Sequence, residues 1–118
     1  AVLGAAFKPG TDDVRNSPAL TVAQHLAEQG ADVHVYDPQA KLPLRDGFTQ
    51  SDSVDEAFRG AEIVLHLTEW PEFRQLDPEQ LAQLVRTKVI IDGRLKLPAA
   101  LWRAAGWKVV QIGRASTM

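Results

Sequence analysis

Short apolar runs alternate with helical patterns along the whole chain. Each run is rich in aliphatic or aromatic residues and is closed by glycine, proline or polar residues, which predicts the strands of a buried sheet. The runs cover residues 1–7, 31–37, 48–50, 61–68, 88–93 and 107–113. The run at 48–50 is the shortest, and we interpret it as an edge strand.

Helix start and stop signals fill most of the intervals between these runs. Ser17 is a candidate N-cap, and the proline after it suits the first helical position. Ser53 and Glu56 have the spacing of a capping box, and Asp77 is a third candidate cap. We interpret 69–73 as a turn or a single helical turn. The predicted helices cover residues 18–29, 54–58, 78–85 and 98–106.

This alternation predicts an α/β fold, a doubly wound and mostly parallel sheet of five to six strands with helices on both faces. Such a fold is Rossmann-like. We expect the strand at 1–7 in the centre, the strand at 61–68 beside it, and the strand at 88–93 two positions away. No repeat or linker divides the chain, so we predict one domain over residues 1–118.

Composition and charge exclude several classes of function. With 118 residues and a net charge of −2, the chain shows no excess of positive charge for nucleic acid or an anionic membrane. No apolar run approaches the roughly 20 residues of a membrane span, and no signal peptide is visible. The chain has no cysteine, which excludes disulfides, thiol catalysis and thiolate metal sites within it. We expect a cytoplasmic protein, and a first residue already inside a strand suggests a piece of a longer one.

Candidate chemistry lies at the carboxyl ends of the strands, where doubly wound sheets bind ligands. Lys8 follows the first strand and Arg94 follows the strand at 88–93, so the two cations should lie roughly 10 Å apart, close enough to converge on one anion. The dinucleotide fingerprint G-x-G-x-x-G is absent, which argues against an NAD site here. A plainer interpretation remains, in which Lys8 is a solvated loop residue paired with Asp12 or Asp13.

Four motifs give the chain a specific resemblance. Residues 4–18 fit the pattern G-x-x-F-K-x-x-T-D-D-x-R-x-S-P, and "VYDP" (35–38), "TEWPEF" (68–73) and "IIDGR" (90–94) follow in order. Together they resemble the carboxy-terminal, nucleotide-sugar-binding domain of the UDP-glucose/GDP-mannose dehydrogenase family, over nearly the whole chain. The "TEW" form is similar to the UDP-glucose branch.

The resemblance implies a part of an NAD-dependent enzyme. Members of that family have an amino-terminal domain that binds NAD, a central helical domain that mediates dimerisation, and a last domain that binds the nucleotide of the sugar substrate. They oxidise the sugar C6 alcohol to a carboxylate through a cysteine-bound intermediate, as from UDP-glucose to UDP-glucuronate. Because this chain has no cysteine and lacks the first two domains, we expect it to be inactive alone and the full-length enzyme to be a homo-oligomer.

The same resemblance implies roles for individual residues. Phe7 and Lys8 would contact the substrate, Lys8 through its charge, and Arg94 would contact the UDP-sugar as well. Arg15 would reach the NAD held by the missing domain. The two aspartates at 12–13 would order the loop. No catalytic residue and no metal site are predicted within the chain.

Other polar and aromatic residues have plainer interpretations. We interpret Asp37 as a turn residue rather than a ribose-binding acid, and Trp70 as a core anchor rather than a stacking platform. Trp102 and Trp107 should pack against the sheet. The three histidines lack a metal-site pattern, and we interpret them as structural or exposed. They are His25, His34 and His66.

Alternatives remain open at this stage. The nucleotide-sugar domain could belong to a GDP-mannose or UDP-N-acetylmannosamine dehydrogenase, since these branches share most of the motifs. A free-standing α/β regulatory module that binds an anion would share the order of elements. It would need a phosphorylatable aspartate after the strand at 61–68, where Thr68 and Glu69 stand instead. A complete dinucleotide-binding domain would need the missing fingerprint.

Overall fold

A computed structural model describes residues 1–4, 18–39, 48–94 and 97–111 of the chain. The predicted site residues Phe7, Lys8 and Arg15 and the candidate cap Ser17 lie outside these ranges.

The described strands form one six-stranded sheet in the order β3-β2-β1-β4-β5-β6, with every neighbouring pair parallel. This confirms the predicted α/β class, the central place of the first strand and the positions of its neighbours. The order reverses direction at β1, which marks the point where such sheets bind ligands. The strands are β1 (Val2–Leu3), β2 (His34–Tyr36), β3 (Thr49–Gln50), β4 (Val64–His66), β5 (Val89–Asp92) and β6 (Lys108–Gln111).

For the runs at 31–37, 48–50, 61–68 and 88–93, which the structure describes in full, the strands are shorter than predicted, because the ends of these runs leave the hydrogen-bonded ladder. At the end of β4, for example, the amides of Leu67 and Thr68 both donate to the carbonyl of Leu3, at 3.0 and 3.3 Å. A shared acceptor breaks the regular spacing of a parallel ladder.

Within the described ranges, four α-helices and one 3-10 helix connect the strands. Ser53 caps α2 as predicted, since its Oγ accepts from the Glu56 amide at 3.1 Å, but the Glu56 carboxylate accepts from the Asp52 amide, one residue before the expected one. Asp77 caps α3 by accepting from the Glu79 and Gln80 amides. The helices are α1 (Pro18–Glu28), α2 (Val54–Phe58), α3 (Pro78–Ala82), α4 (Ala99–Ala104) and the 3-10 helix (Pro71–Gln75).

The third helix ends earlier than predicted. The prediction continued it to Val85, whereas α3 ends at Ala82. The Leu84 amide donates to Leu81, three residues back, and the Leu84 carbonyl accepts from the Gly60 amide at 2.7 Å. Pairing with the segment that leads into β4 therefore takes this carbonyl out of the helical pattern.

Two apolar clusters cover the two faces of the sheet, as a doubly wound fold requires. Helix α1 packs on the face that carries Val2, Val35 and Leu65. The other face is larger and aromatic, with Trp102 and Trp107 in edge contact at 4.9 Å between ring centroids. This confirms that both tryptophans pack against the sheet. Among the described residues, no helix is long and apolar enough to span a membrane.

Candidate functional site at the carboxyl edge

The ends of β1 and β4 approach each other closely at the carboxyl edge of the sheet. Gly4 directly follows β1 with φ of +97°, a conformation that side chains disfavour. A Cβ on Gly4 would lie 2.4 Å from the Cβ of Thr68. Glycine at this position therefore lets the chain leave β1 against the end of β4, immediately beside Glu69.

A buried carboxylate organises the end of the next strand, β5. Asp92 is fully buried and accepts hydrogen bonds with both oxygens. Its Oδ1 accepts from His66 Nδ1 at 2.8 Å and from the Arg94 amide at 3.0 Å. Its Oδ2 accepts from the Leu97 amide at 2.9 Å and from Gln111 Nε2 at 3.2 Å. One side chain thus connects three neighbouring strands and the loop that follows β5.

These hydrogen bonds keep Asp92 ionised. Burial by itself would raise the pKa of this carboxyl, but the bonds from His66, from the Leu97 and Arg94 amides and from Gln111 outweigh it. The pKa of Asp92 consequently lies well below its usual range. An ionised carboxylate can only accept, so the ring hydrogen of His66 that faces it is on Nδ1.

The partner of Asp92, His66, is fully buried at the end of β4. Its ring meets Phe73 edge to face at 5.8 Å, and its Nε2 has no hydrogen-bond partner among the described residues. The structural interpretation of His66 is confirmed, but the sequence analysis missed the pair itself. The signal was the register, because His66 and Asp92 lie directly opposite each other on adjacent strands.

Arg94 lies where the sequence predicted it, on the rim beyond β5. Its backbone is bound to Asp92, and its guanidinium forms an ion pair with Glu69 through Nε and, at 3.2 Å, through Nη2. The hydrogen bond to Arg94 lowers the pKa of Glu69, and the hydrogen bond to Glu69 raises the pKa of Arg94. The guanidinium has five N–H donors, and Glu69 accepts from two of them, one on Nε and one on Nη2. The other three, two on Nη1 and one on Nη2, have no acceptor among the described residues.

At the end of β2, Asp37 is buried and faces inward. Its Oδ1 accepts from the Gln39 amide at 2.9 Å, and its Oδ2 accepts from Trp70 Nε1 at 3.2 Å. This confirms Asp37 as a turn residue and Trp70 as a core anchor. In a dinucleotide fold the acid at this place would bind a ribose. Because Asp37 is buried and the chain has no glycine fingerprint, the described residues do not fit an NAD site.

The other histidines take no part in this edge. His25 is exposed on α1, and His34 Nε2 lies 3.1 Å from the exposed Asp32. Within the described ranges no three His, Asp or Glu side chains are grouped to hold a metal ion. Of the predicted site residues, the structure therefore places Arg94, while Phe7, Lys8 and Arg15 lie outside the described residues and their convergence with Arg94 stays a prediction.

The chain is similar to known proteins over most of its length. A UDP-glucose 6-dehydrogenase of Haloferax volcanii is 46% identical over 97 residues, which cover 80% of the chain and 22% of that protein. A UDP-N-acetyl-D-mannosamine dehydrogenase of Methanocaldococcus jannaschii is 36% identical over 116 residues, 96% of the chain and 26% of that protein. The chain thus spans about a quarter of the length of these relatives.

A solved structure and a family model extend the comparison to the fold. The UDP-D-ManNAc dehydrogenase structure from Pyrococcus horikoshii superposes with a TM-score of 0.81 at 34% identity, over 96% of this chain and 25% of that one. Residues 1–98 match the model described as "UDP-glucose/GDP-mannose dehydrogenase family, UDP binding domain". The chain therefore belongs to the UDP-glucose/GDP-mannose dehydrogenase family and corresponds to its UDP binding domain.

Proposed function

We propose that this chain is the nucleotide-binding domain of an NAD-dependent UDP-glucose 6-dehydrogenase. Its part in the reaction is to hold UDP so that the sugar C6 alcohol is presented to a nicotinamide and a cysteine located elsewhere in a longer protein. This is catalysis by positioning. The observation that carries the proposal is the match to a UDP binding domain together with Arg94, whose remaining donors lie at the ligand-binding edge.

The geometry of Arg94 supports binding of an anion while the ion pair persists. Glu69 occupies the Nε side of the guanidinium, and the donors of Nη1 and Nη2 form a second fork on the end of the side chain. Two parallel N–H groups of this kind suit a phosphate or the edge of a base. Arg94 would then contact the nucleotide with the end of its guanidinium, and Glu69 would hold that guanidinium in orientation.

Lys8 and Phe7 would complete the substrate site from the segment that follows Gly4. Gly4, the last described residue before that segment, lies against Thr68, and Thr68 directly precedes Glu69 of the Arg94 ion pair. Lys8 would add a second positive charge toward the diphosphate. Arg15, further along the same segment, would reach the NAD. Because the described residues do not fit a dinucleotide, we assign NAD to another domain.

The longer protein is also part of the proposal. Relatives about four times the length of the chain leave room for an NAD-binding and a helical domain, and we propose a homo-oligomer built from such subunits. The UDP-glucose assignment rests on the "TEW" motif at 68–70 and on the relative from Haloferax volcanii. UDP-N-acetylmannosamine and GDP-mannose dehydrogenases are the alternatives.

Calorimetric titration of the 118-residue chain with UDP, GDP and NAD tests the proposal. We expect UDP to bind most tightly. Lys8→Ala should weaken UDP binding, and Lys88→Ala should not, because Lys88 is an exposed lysine just before β5, at the opposite edge of the sheet. A preference for GDP would move the substrate to the mannose branch. Tightest binding of NAD, or no binding of any of the three, would contradict the proposal.

A further inference from the structure

We propose that His66 is a positioning residue for Arg94. By donating from Nδ1 to Asp92, it fixes the carboxylate that anchors the loop from which Arg94 extends. The inference rests on the proposed function, in which Arg94 contacts the nucleotide, and it adds to that function a residue that is itself fully buried.

Two pairs of side chains connect the ends of β4 and β5, an inner, buried pair and an outer, partly exposed pair. The buried pair, His66 with Asp92, lies on the last paired residues of the two strands. The second, partly exposed pair follows the ends of both strands, since Glu69 comes three residues after His66 and Arg94 comes two residues after Asp92. The geometry of the inner pair therefore sets the position from which the outer pair is built.

The loop after β5 depends on the orientation of a single carboxylate. Oδ1 of Asp92 accepts from the Arg94 amide and Oδ2 accepts from the Leu97 amide, so the carboxylate holds the chain at Arg94 and again three residues later. The plane of the carboxylate is held from the sheet by His66 on one oxygen and Gln111 on the other. Without the His66 donor, the carboxylate keeps one of these two lateral contacts and gains freedom to rotate.

The backbone of His66 also holds the loop after β5, and substitution of the side chain leaves this attachment intact. Its carbonyl accepts from the Gly93 amide at 3.0 Å. A change of the His66 side chain therefore removes the bond to Asp92 but not the attachment of Gly93. Of the two side-chain contacts that the substitution removes, with Phe73 and with Asp92, only the bond to Asp92 leads to the Arg94 amide.

Three variants separate positioning from general destabilisation. His66→Leu removes the Nδ1 donor and fills the buried position with an apolar side chain. His66→Asn keeps a donor, because its amide nitrogen can take the place of Nδ1. Phe58→Leu is the matched control, since Phe58 is equally buried but lies on α2, before β4, and its side chain makes none of the hydrogen bonds to Asp92. Their free energies of unfolding are compared in urea.

Two measurements on each variant report on Arg94. The first is the ¹⁵N–¹H resonance of Arg94 Nε, identified by its loss in Arg94→Ala, which reports the ion pair without any ligand. The second is the dissociation constant for UDP. We expect His66→Leu to shift or broaden the resonance and to weaken UDP binding about tenfold. His66→Asn should remain within about threefold of wild type, and Phe58→Leu should change neither quantity.

The inference is overturned if His66→Leu behaves like wild type, or if Phe58→Leu at equal loss of stability has the same effect. Should His66→Leu not fold, His66→Asn decides: a preserved resonance and affinity support the inference, and loss of both in a folded protein contradicts it. If wild type bound no UDP, the proposed function would fail, and the resonance of Arg94 alone would show whether His66 positions that side chain.

Discussion

The two edges of the sheet differ in how their polar side chains are held. At the amino edge, a cavity of about 510 Å³ is lined by charged or titratable side chains that face water. They are Asp32, His34, Arg59, Glu62 and Arg86. At the carboxyl edge, four polar side chains of the described residues are buried and bonded within the protein, beneath the partly exposed pair of Glu69 and Arg94. The four are Asp37, His66, Asp92 and Gln111.

This difference shows that cavity size and site organisation are separate properties. Burying polar groups is costly unless they are hydrogen-bonded, so a group that remains buried with several partners is held in one orientation. The carboxyl edge fixes the directions of its donors, whereas the amino edge offers volume with exposed, rotatable charges. The proposed ligand site is the carboxyl edge, and side chains of the amino edge serve as its internal controls.

The largest effect is expected for Asp92→Ala. It would leave four donors without their acceptor, those of His66, Gln111 and the Arg94 and Leu97 amides. Breaking a buried charged network in this way costs about 3–5 kcal/mol. We expect the free energy of unfolding in urea to fall by this amount. Asp32→Ala, at the exposed edge, should change it by less than about 0.5 kcal/mol. Equal losses would mean that the edges do not differ in organisation.

The second prediction concerns binding. Arg94→Ala should weaken UDP binding about tenfold or more, since a bidentate, charge-assisted contact would be lost. Arg86→Ala removes the same side chain from the amino-edge cavity and should leave the dissociation constant within about twofold. Calorimetry on both variants measures this difference. If Arg86→Ala had the larger effect, the ligand would bind in the cavity rather than at the carboxyl edge.

The third prediction is a pH dependence that belongs to Asp92. Its pKa is lower in the folded chain than the value of about 3.9 of an unfolded aspartate, so the folded state binds fewer protons in that range. The resulting stabilisation is present above about pH 5 and is lost as the pH falls below about 4. When unfolding is measured between pH 2 and 7, the urea concentration at the midpoint should therefore decrease as the pH falls below about 4. Asp92→Asn should flatten this decrease, and Asp32→Asn should keep it.

The sequence could predict the features that depend on local signals, but not those that depend on contacts between distant residues. The strand order, the place of Arg94 and the turn at Asp37 follow from local signals, namely apolar runs, strand ends and turn residues. The pairing of His66 with Asp92 does not, because these residues are 26 positions apart and meet only through the register of β4 and β5.

The early end of α3 has a similar cause. Leu84 and Val85 continue the helical pattern of the sequence, but the Leu84 carbonyl accepts from the Gly60 amide in a segment more than twenty residues earlier. Local propensity cannot report a competitor of this kind, because a tertiary hydrogen bond decides where the helix ends.

The smallest effect is expected for Glu69→Gln, at the exposed end of the organised edge. The amide oxygen can still accept from Arg94, so the orientation of the guanidinium is largely kept, and a partly exposed ion pair contributes only about 0–1 kcal/mol. Loss of the negative charge beside Arg94 should therefore strengthen UDP binding about twofold to threefold at low salt. Screening should remove this gain near 0.5 M salt, where the Debye length is roughly 4 Å.

Glu62→Gln is the matched control, because it removes the same charge from the rim of the amino-edge cavity. An equal gain in both variants would mean that UDP responds to net charge and not to the position of Glu69. Weaker binding by Glu69→Gln alone would mean that the carboxylate orients Arg94 more than it opposes the phosphate. In that case the fixed geometry of the carboxyl edge extends from the buried Asp92 to the exposed rim, and Glu69 belongs to the binding machinery.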